Sequence, residues 1–226
     1  MKKLHGVRLA HHKNTENSAC VPLPLPKLVR IPMSMHIGAP CTPVVKPRET
    51  VQVGQKIGDT DAFMAVPIHS GVSGTVKAIS TYRMSNGRTC PMVEIETDGA
   101  QTVCPAVCPP VVTDKASFLQ AVRESGLVGM GGASFPAHVK LNPKQAVDTL
   151  VINAAECEPY ITSDYRQMVE APEEVLDGVC QVMHWLEIPK AVIGIEVNKP
   201  QAIRILTEKA KSHPEIQVVS LPTTYP

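Results

Sequence analysis

Apolar and polar residues alternate in short runs through the first hundred positions and return at helical spacing in the second hundred. Residues 50–58 read T-V-Q-V-G-Q-K-I-G, alternating and closing on glycine. Residues 68–79 carry a β-branched run with corners at Gly71 and Gly74, and residues 92–97 alternate again, so short strands are predicted. Residues 21–25 alternate proline with apolar side chains, and Pro32, Pro40, Pro43 and Pro47 continue the interruption, which excludes long helices before about residue 110. Residues 114–125 predict a helix: Thr113 or Asp114 caps it, Phe118, Leu119 and Val122 share a face, and Gly126 stops it. The apolar run 149–153 predicts a strand buried on both faces. Helices follow at 172–186, with Val175, Leu176, Val179, Val182, Met183 and Leu186 in phase, and at 200–211. Strands are expected at 191–195 and 216–221. Strand, helix, strand, helix, strand is the order of a parallel sheet with right-handed crossovers.

The fold class is therefore mixed: a small β barrel or sandwich, then a parallel α/β domain. The bridge Cys104-Pro105-Ala106-Val107-Cys108-Pro109-Pro110 separates the two kinds of sequence, giving a β-rich domain at 1–102, a linker at 103–112 and an α/β domain at 113–226. Proline occurs 21 times in 226 residues, about twice the usual ~5%. A net charge of +1 provides no broad positive field, so nucleic acid is excluded as the expected partner. Seven irregularly spaced cysteines indicate a reducing compartment instead of a disulfide framework. No apolar run approaches the ~20 residues of a membrane span, and the basic start lacks an apolar stretch to make a signal peptide.

Ligands of open α/β sheets collect beyond the carboxyl ends of the strands. The first strand there runs into Asn153-Ala154-Ala155-Glu156-Cys157-Glu158-Pro159-Tyr160, the second into Glu196-Val197-Asn198-Lys199, and their polar groups are expected to share a crevice. Carboxylates near a buried strand end need partners, so a purely structural role for Glu156 and Glu158 would cost stability without return. Before the first strand, residues 126–140 read G-L-V-G-M-G-G-A-S-F-P-A-H-V-K. Glycines admit a flat or phosphorylated ligand close to the backbone, and Lys140 offers a positive charge. The spacing is neither a P-loop nor a dinucleotide fingerprint. From the residues alone, a flavin or nucleotide site and a ligand-free glycine turn both stay open.

The run V-x-x-G-Q-x-I followed by H-S-G-V-S-G-T-V resembles the lipoyl and biotinyl carrier fold, yet the stretch 59–65 that would hold the carrier lysine reads D-T-D-A-F-M-A. The β unit is thus expected as a scaffold without swinging-arm chemistry. The pair G-L-V-G-M-G-G-A-S-F-P-A-H-V-K-L and T-L-V-I-N-A-A-E-C-E-P-Y-I-T-S-D-Y-R, with I-P-M-S-M-H-I-G-A-P-C-T-P-V-V-K nearer the start, resembles the RnfC family of the Rnf electron transport complex over essentially the whole chain. More distantly, the second half is similar to the FMN-carrying subunit of respiratory complex I.

The resemblance implies an NADH-linked electron-transfer subunit carrying FMN and NAD(H), with 4Fe-4S clusters in a segment beyond this chain. It implies a peripheral place on the cytoplasmic side of the membrane. Its partners are the other Rnf subunits, membrane-spanning and ferredoxin-like, and indirectly ferredoxin. It assigns Gly129, Gly131, Gly132 and Lys140 to a flavin cradle, Asn153 and Glu156 to polar flavin contacts, Phe135 to stacking on the dinucleotide and Glu158 to the nicotinamide side. It supplies no catalytic acid or base, because orienting the cofactors suffices for hydride transfer. Met130, Ala155 and Cys157 depart from the complex I pattern, which has arginine, aspartate and glycine there. No C-x-x-C-x-x-C-x-x-x-C-P run is present, and the family continues past Pro226 into a glycine and glutamate motif. The chain is therefore expected to be an N-terminal fragment that binds neither flavin nor clusters and is inactive alone. Two alternatives share these features: a soluble flavin reductase of the cobalamin reductase type, and a non-catalytic scaffold. Cys104 and Cys108 are expected as ordinary cysteines, leaving no metal site, His36 and His69 as turn-stabilising residues, and His11 and His12 as solvated.

Overall fold

A computed structural model describes residues 6–7, 9–130 and 132–225. By contacts the chain forms two compact units, Leu23–Lys144 and a second assembled from Met1–Pro22 and Gln145–Pro226. The Pro/Cys bridge at 103–112 lies inside the first unit, so the change in composition and the change in contacts fall at different places.

In the first unit, β1 (Leu28–Pro32), β7 (Thr89–Thr97), β6 (Gly74–Arg83) and β3 (Thr50–Val51) form an antiparallel sheet in that order, and β2 (Thr42–Pro43), β4 (Lys56–Asp59) and β5 (Ile68–His69) form a smaller one. Alternation predicts the register: Val76, Val93 and Ile95 turn inward with Met33, Val51 and Ile57, all fully buried. Phe63 stands 74% exposed in the turn where a carrier fold would present its lysine. Helix α1 (Lys115–Glu124) also belongs to this unit. Asp114 and Ser117 form a reciprocal capping box at its start, and Lys56 and Arg123 bridge Asp59 and Glu124 across to β4. Gly126 ends the helix with φ +71°, and a Cβ there would meet the Pro67 carbonyl oxygen at 2.8 Å.

The second unit is a parallel sheet, β10 (Ile216–Leu221), β9 (Ala191–Glu196), β8 (Leu150–Ala154), joined through α3 (Ser163–Glu170), α4 (Pro172–Trp185) and α5 (Pro200–Lys209). Proline occupies the first helical position of α4 and of α5, where no amide partner is lost. One core joins Leu176, Val179, Met183, Ala202 and Leu206 of the helices to Ala154, Ala191, Ile193, Ile195 and Ile216 of the strands. The expectation that residues 149–153 are buried on both faces is corrected: Val151 is 68% exposed. Strands added successively in one direction by right-handed crossovers place the connecting helices on the same face. The core accordingly takes Leu150, Ile152 and Ala154 from β8 and leaves Val151 and Asn153 outside it.

Helix α4 ends in a left-handed turn at Glu187, φ +55°. The Ile188 amide donates to the Met183 carbonyl at 2.8 Å and the Glu187 amide to His184 at 3.3 Å, a Schellman pattern that buries Ile188 beside Met183. Because Glu187 is an exposed L-residue in a conformation that costs ~1–2 kcal/mol, Glu187→Gly is expected to raise stability by about 0.5–1 kcal/mol, net of the entropy glycine adds to the unfolded chain. A lower urea midpoint for that variant would count against this reading of the turn.

Candidate functional site

The glycine-rich segment forms a closed excursion. The Gly129 amide donates to the Phe135 carbonyl at 2.9 Å, the Ala137 amide to Leu127 at 3.0 Å, and Val128 bridges Pro136, so the backbone at 127–129 is stitched to that at 135–137. Met130 at the tip is 92% exposed. Gly129 and Gly132 are exposed, and a Cβ at Gly132 would meet nothing within 4 Å. Gly131 lies outside the described residues. Phe135 is half-buried, and Lys140 is exposed at the end of the short helix α2 (Ala137–Lys140). The loop walls a cleft of about 690 Å³ within its own unit, together with Ser34, His36, Met84, Asn86 and Arg88. Ligand pockets commonly fall in the range ~300–1,000 Å³. The hairpin residues Asn86 and Arg88 were not singled out in the sequence, because their proximity to the loop is a tertiary fact.

His36 is buried beside the same loop and has a structural task, as expected. Its Nε2 accepts from the Val66 amide at 3.4 Å, and its Nδ1 lies 3.2 Å from the Ile37 carbonyl oxygen.

In the other unit the strand-end loop is held from several sides. Asn153, exposed, closes a turn by accepting from the Ala155 amide at 3.1 Å. Glu156 turns the chain with φ +47° and is 6% exposed. Its Oε1 accepts from the Asp164 amide at 2.6 Å and the Tyr165 amide at 3.3 Å. It thereby serves the N-terminus of α3, whose own preceding residue Thr162 makes no cap bond and instead shares a 2.6 Å hydrogen bond with Thr15. Glu156 thus has a structural task that the sequence does not announce, and the helix amides repay part of the desolvation of its carboxylate. Oε2 has no hydrogen-bond partner and sits 3.9 Å from the Lys13 ammonium. A hollow of about 10 Å³, room for one water molecule, lies among Lys13, Glu156, Thr162, Tyr165, Asn198 and Lys199. Burial raises the Glu156 pKa above its ordinary range, against the pull of the two amides and Lys13.

Two lysines grip the loop backbone. Lys199, 3% exposed, donates to the Ala155 carbonyl at 2.5 Å and the Glu156 carbonyl at 3.3 Å, so the ends of β8 and β9 do meet as expected. Lys13 donates to the carbonyls of Glu156, Glu158 and Ile161 at 2.6–2.8 Å. The Glu158 side chain itself is exposed. Of the two histidines expected to be solvated, His12 is exposed and stacks on the exposed ring of Tyr160 with centroids 4.9 Å apart, whereas His11 is half-buried with Nδ1 3.2 Å from the Tyr225 hydroxyl. Residues 11–16 thus form a strap across the strand-end loop. Nothing in the local sequence marks them, since Lys13 and its carbonyl partners stand 143–148 positions apart.

Residues 2–100 match the RnfC barrel sandwich hybrid domain, and residues 122–226 match the Nuo51 FMN-binding domain. The fold is that of a barrel-sandwich module followed by a parallel α/β module of the FMN-binding kind. The C subunit of the Na(+)-translocating ferredoxin:NAD(+) oxidoreductase complex of Acetobacterium woodii is 42% identical, over 93% of this chain and 49% of its own length. The C subunit of the proton-translocating ferredoxin:NAD(+) oxidoreductase complex of Clostridium ljungdahlii is also 42% identical, over 95% and 48%. The C subunit of the ion-translocating oxidoreductase complex of Rhodobacter capsulatus is 36% identical, over 98% and 44%. The chain belongs to the RnfC family of oxidoreductase-complex subunits, and it spans about half the length of these relatives. Among the described residues no helix is long and apolar enough to cross a membrane.

Proposed function

We propose that this chain is the front part of an electron-transfer subunit of a membrane-associated NAD:ferredoxin oxidoreductase, peripheral on the cytoplasmic side, and that its second half serves FMN and NAD(H). The observation that carries the reading is the match of residues 122–226 to an FMN-binding domain, which takes in both the glycine loop and the strand-end loop. Functionally the chain divides as 1–102, 103–112 and 113–226. The residues present suit a flavin: backbone at Gly129 and Gly132 is open to close approach, and Asn153 offers an exposed amide at a strand end. When bound, FMN supplies the exchange between hydride and single-electron chemistry. In this reading Gly129, Gly131 and Gly132 let the cofactor approach the backbone and Lys140 attracts its phosphate. Phe135 stacks, Asn153 orients, Glu156 shapes its loop, and Glu158 faces the nicotinamide. Clusters of the 4Fe-4S type belong to segments outside this chain, and the partners are the membrane-spanning and ferredoxin-like subunits of the complex, with ferredoxin beyond them.

The test uses the full-length subunit. A charge-assisted contact is worth ~1.5–3 kcal/mol and a neutral one ~0.5–1.5 kcal/mol, so Lys140→Ala is expected to weaken FMN at least about tenfold, Asn153→Ala about two- to tenfold, and both to slow NADH oxidation. Unchanged flavin affinity in both variants would remove the assignment. The 226-residue chain alone is expected to purify without flavin, and stoichiometric yellow absorbance would show that these two loops suffice for binding.

A further inference from the structure

Away from both loops, α4 and the connection from α5 to β10 bring three unlike donors together. Cys180 Sγ on α4, His213 Nδ1 after the short 3-10 turn Ala210–Ser212, and a Glu215 carboxylate oxygen before β10 all lie within 4.8 Å of one another. The sulfur to nitrogen distance is 3.5 Å and the nitrogen to oxygen distance 3.7 Å. Zinc bonds of about 2.3 Å to thiolate and about 2.0–2.1 Å to imidazole or carboxylate, at tetrahedral angles, separate sulfur from nitrogen by about 3.5 Å and nitrogen from oxygen by about 3.3 Å. The observed spacings therefore approximate two edges of a zinc tetrahedron. We propose that Cys180, His213 and Glu215 form a three-ligand site for Zn²⁺, with the fourth position open to water.

The backbone already holds the donors. The His213 amide donates to the Ala210 carbonyl at 2.9 Å, the Ile216 amide to the His213 carbonyl at 2.9 Å, and the Ala191 amide to the Glu215 carbonyl at 2.9 Å, so both ligands from this connection are tied to β9 and β10. Cys180 is fixed by the helix, on the turn that also carries Asp177. Cys180 and His213 are half-buried and Glu215 is exposed, which leaves a path for the ion. Thiolate with imidazole favours zinc over magnesium or calcium, which take oxygen donors. Binding forms the Zn–S bond as the thiol loses its proton to solvent; no electron is transferred. A filled site would clasp α4 to the strand connection, a structural role separate from cofactor binding.

Co²⁺ titrated into the purified 226-residue chain is the direct probe, since a thiolate–cobalt bond absorbs in the near ultraviolet. One equivalent is expected to produce that band and Zn²⁺ to displace it. Cys180→Ala should abolish the band and His213→Ala should weaken Co²⁺ binding at least about tenfold, the order of a lost contact worth ~1.4 kcal/mol. Cys104→Ser with Cys108→Ser should leave it intact. Absence of the band in the parent chain, its survival in Cys180→Ala, or its loss in the Cys104/Cys108 variant would each overturn the proposal. A circular dichroism spectrum matching the parent, recorded for each variant, separates loss of a ligand from loss of the fold.

Discussion

Lys199→Met is expected to lower the free energy of unfolding by about 3–5 kcal/mol, the range found when one partner of a buried charged network is removed. Lys199 is 3% exposed, and its ammonium is shared by the Ala155 and Glu156 carbonyls and the Asn198 side-chain oxygen at 2.5–3.3 Å, with the Glu196 carboxylate at 3.7 Å. Methionine matches much of the volume but donates nothing, so the Ala155 carbonyl loses this donor, the Glu156 carbonyl keeps only Lys13, and the Glu196 carboxylate loses its neighbouring cation. Burial lowers the Lys199 pKa, with the Lys13 charge adding to it, while Glu196 and Glu156 oppose. The lysine is therefore held in place at a cost that the loop carbonyls offset. Total stability of domains is commonly ~5–15 kcal/mol, and such a loss should be obvious as a shifted denaturant midpoint. Amides of the strand-end loop should also lose hydrogen-exchange protection before those of β9. A variant within about 1 kcal/mol of the parent would show that Lys199 does not hold the loop.

What the sequence disclosed and what it hid divide along the range of the interactions. Helices α4 and α5 and strands β9 and β10 lie close to where periodicity puts them, because proline at the first helical turn and a 3.6-residue apolar repeat are local signals. Gly126 ends α1 for the same kind of reason. Helix α3 was hidden: it spans eight residues, buries Tyr165 and Met168, and borrows its cap from Glu156, so neither a long stripe nor an adjacent capping residue announces it. Strand β1 was hidden among prolines, since its pairing with β7 is non-local. The exposure of Val151 depends on which face the crossover helices take, a topological outcome that a five-residue pattern does not carry. Both candidate loops were legible as unusual composition, but the strap of residues 11–16 was not, and it is the strap with Lys199 that holds the second loop in shape.

The same network makes Glu156 a discriminating position. If its task is to receive the Asp164 and Tyr165 amides, an oxygen is needed there and a charge is not. Glu156→Gln keeps that oxygen, whereas Glu156→Ala leaves the amides unserved. Alanine is expected to cost about 1–3 kcal/mol, the value of a lost cap with an unsatisfied buried donor, and glutamine to cost little. The pH dependence has a definite sign. Burial holds the Glu156 carboxyl above its ordinary range, so the folded chain binds this proton more tightly than the unfolded chain. The stabilisation is complete below the unfolded pKa, ~4.3, and is lost as pH rises through the folded value. Glutamine does not titrate, so Glu156→Gln should gain on the parent across that rise and be at least as stable at neutral pH. In the full-length subunit it should also retain FMN, while Glu156→Ala should release it through a loosened loop. Equal destabilisation by the two substitutions would refute the capping role, and normal stability with lost flavin in the glutamine variant would mean that the carboxylate meets the cofactor directly.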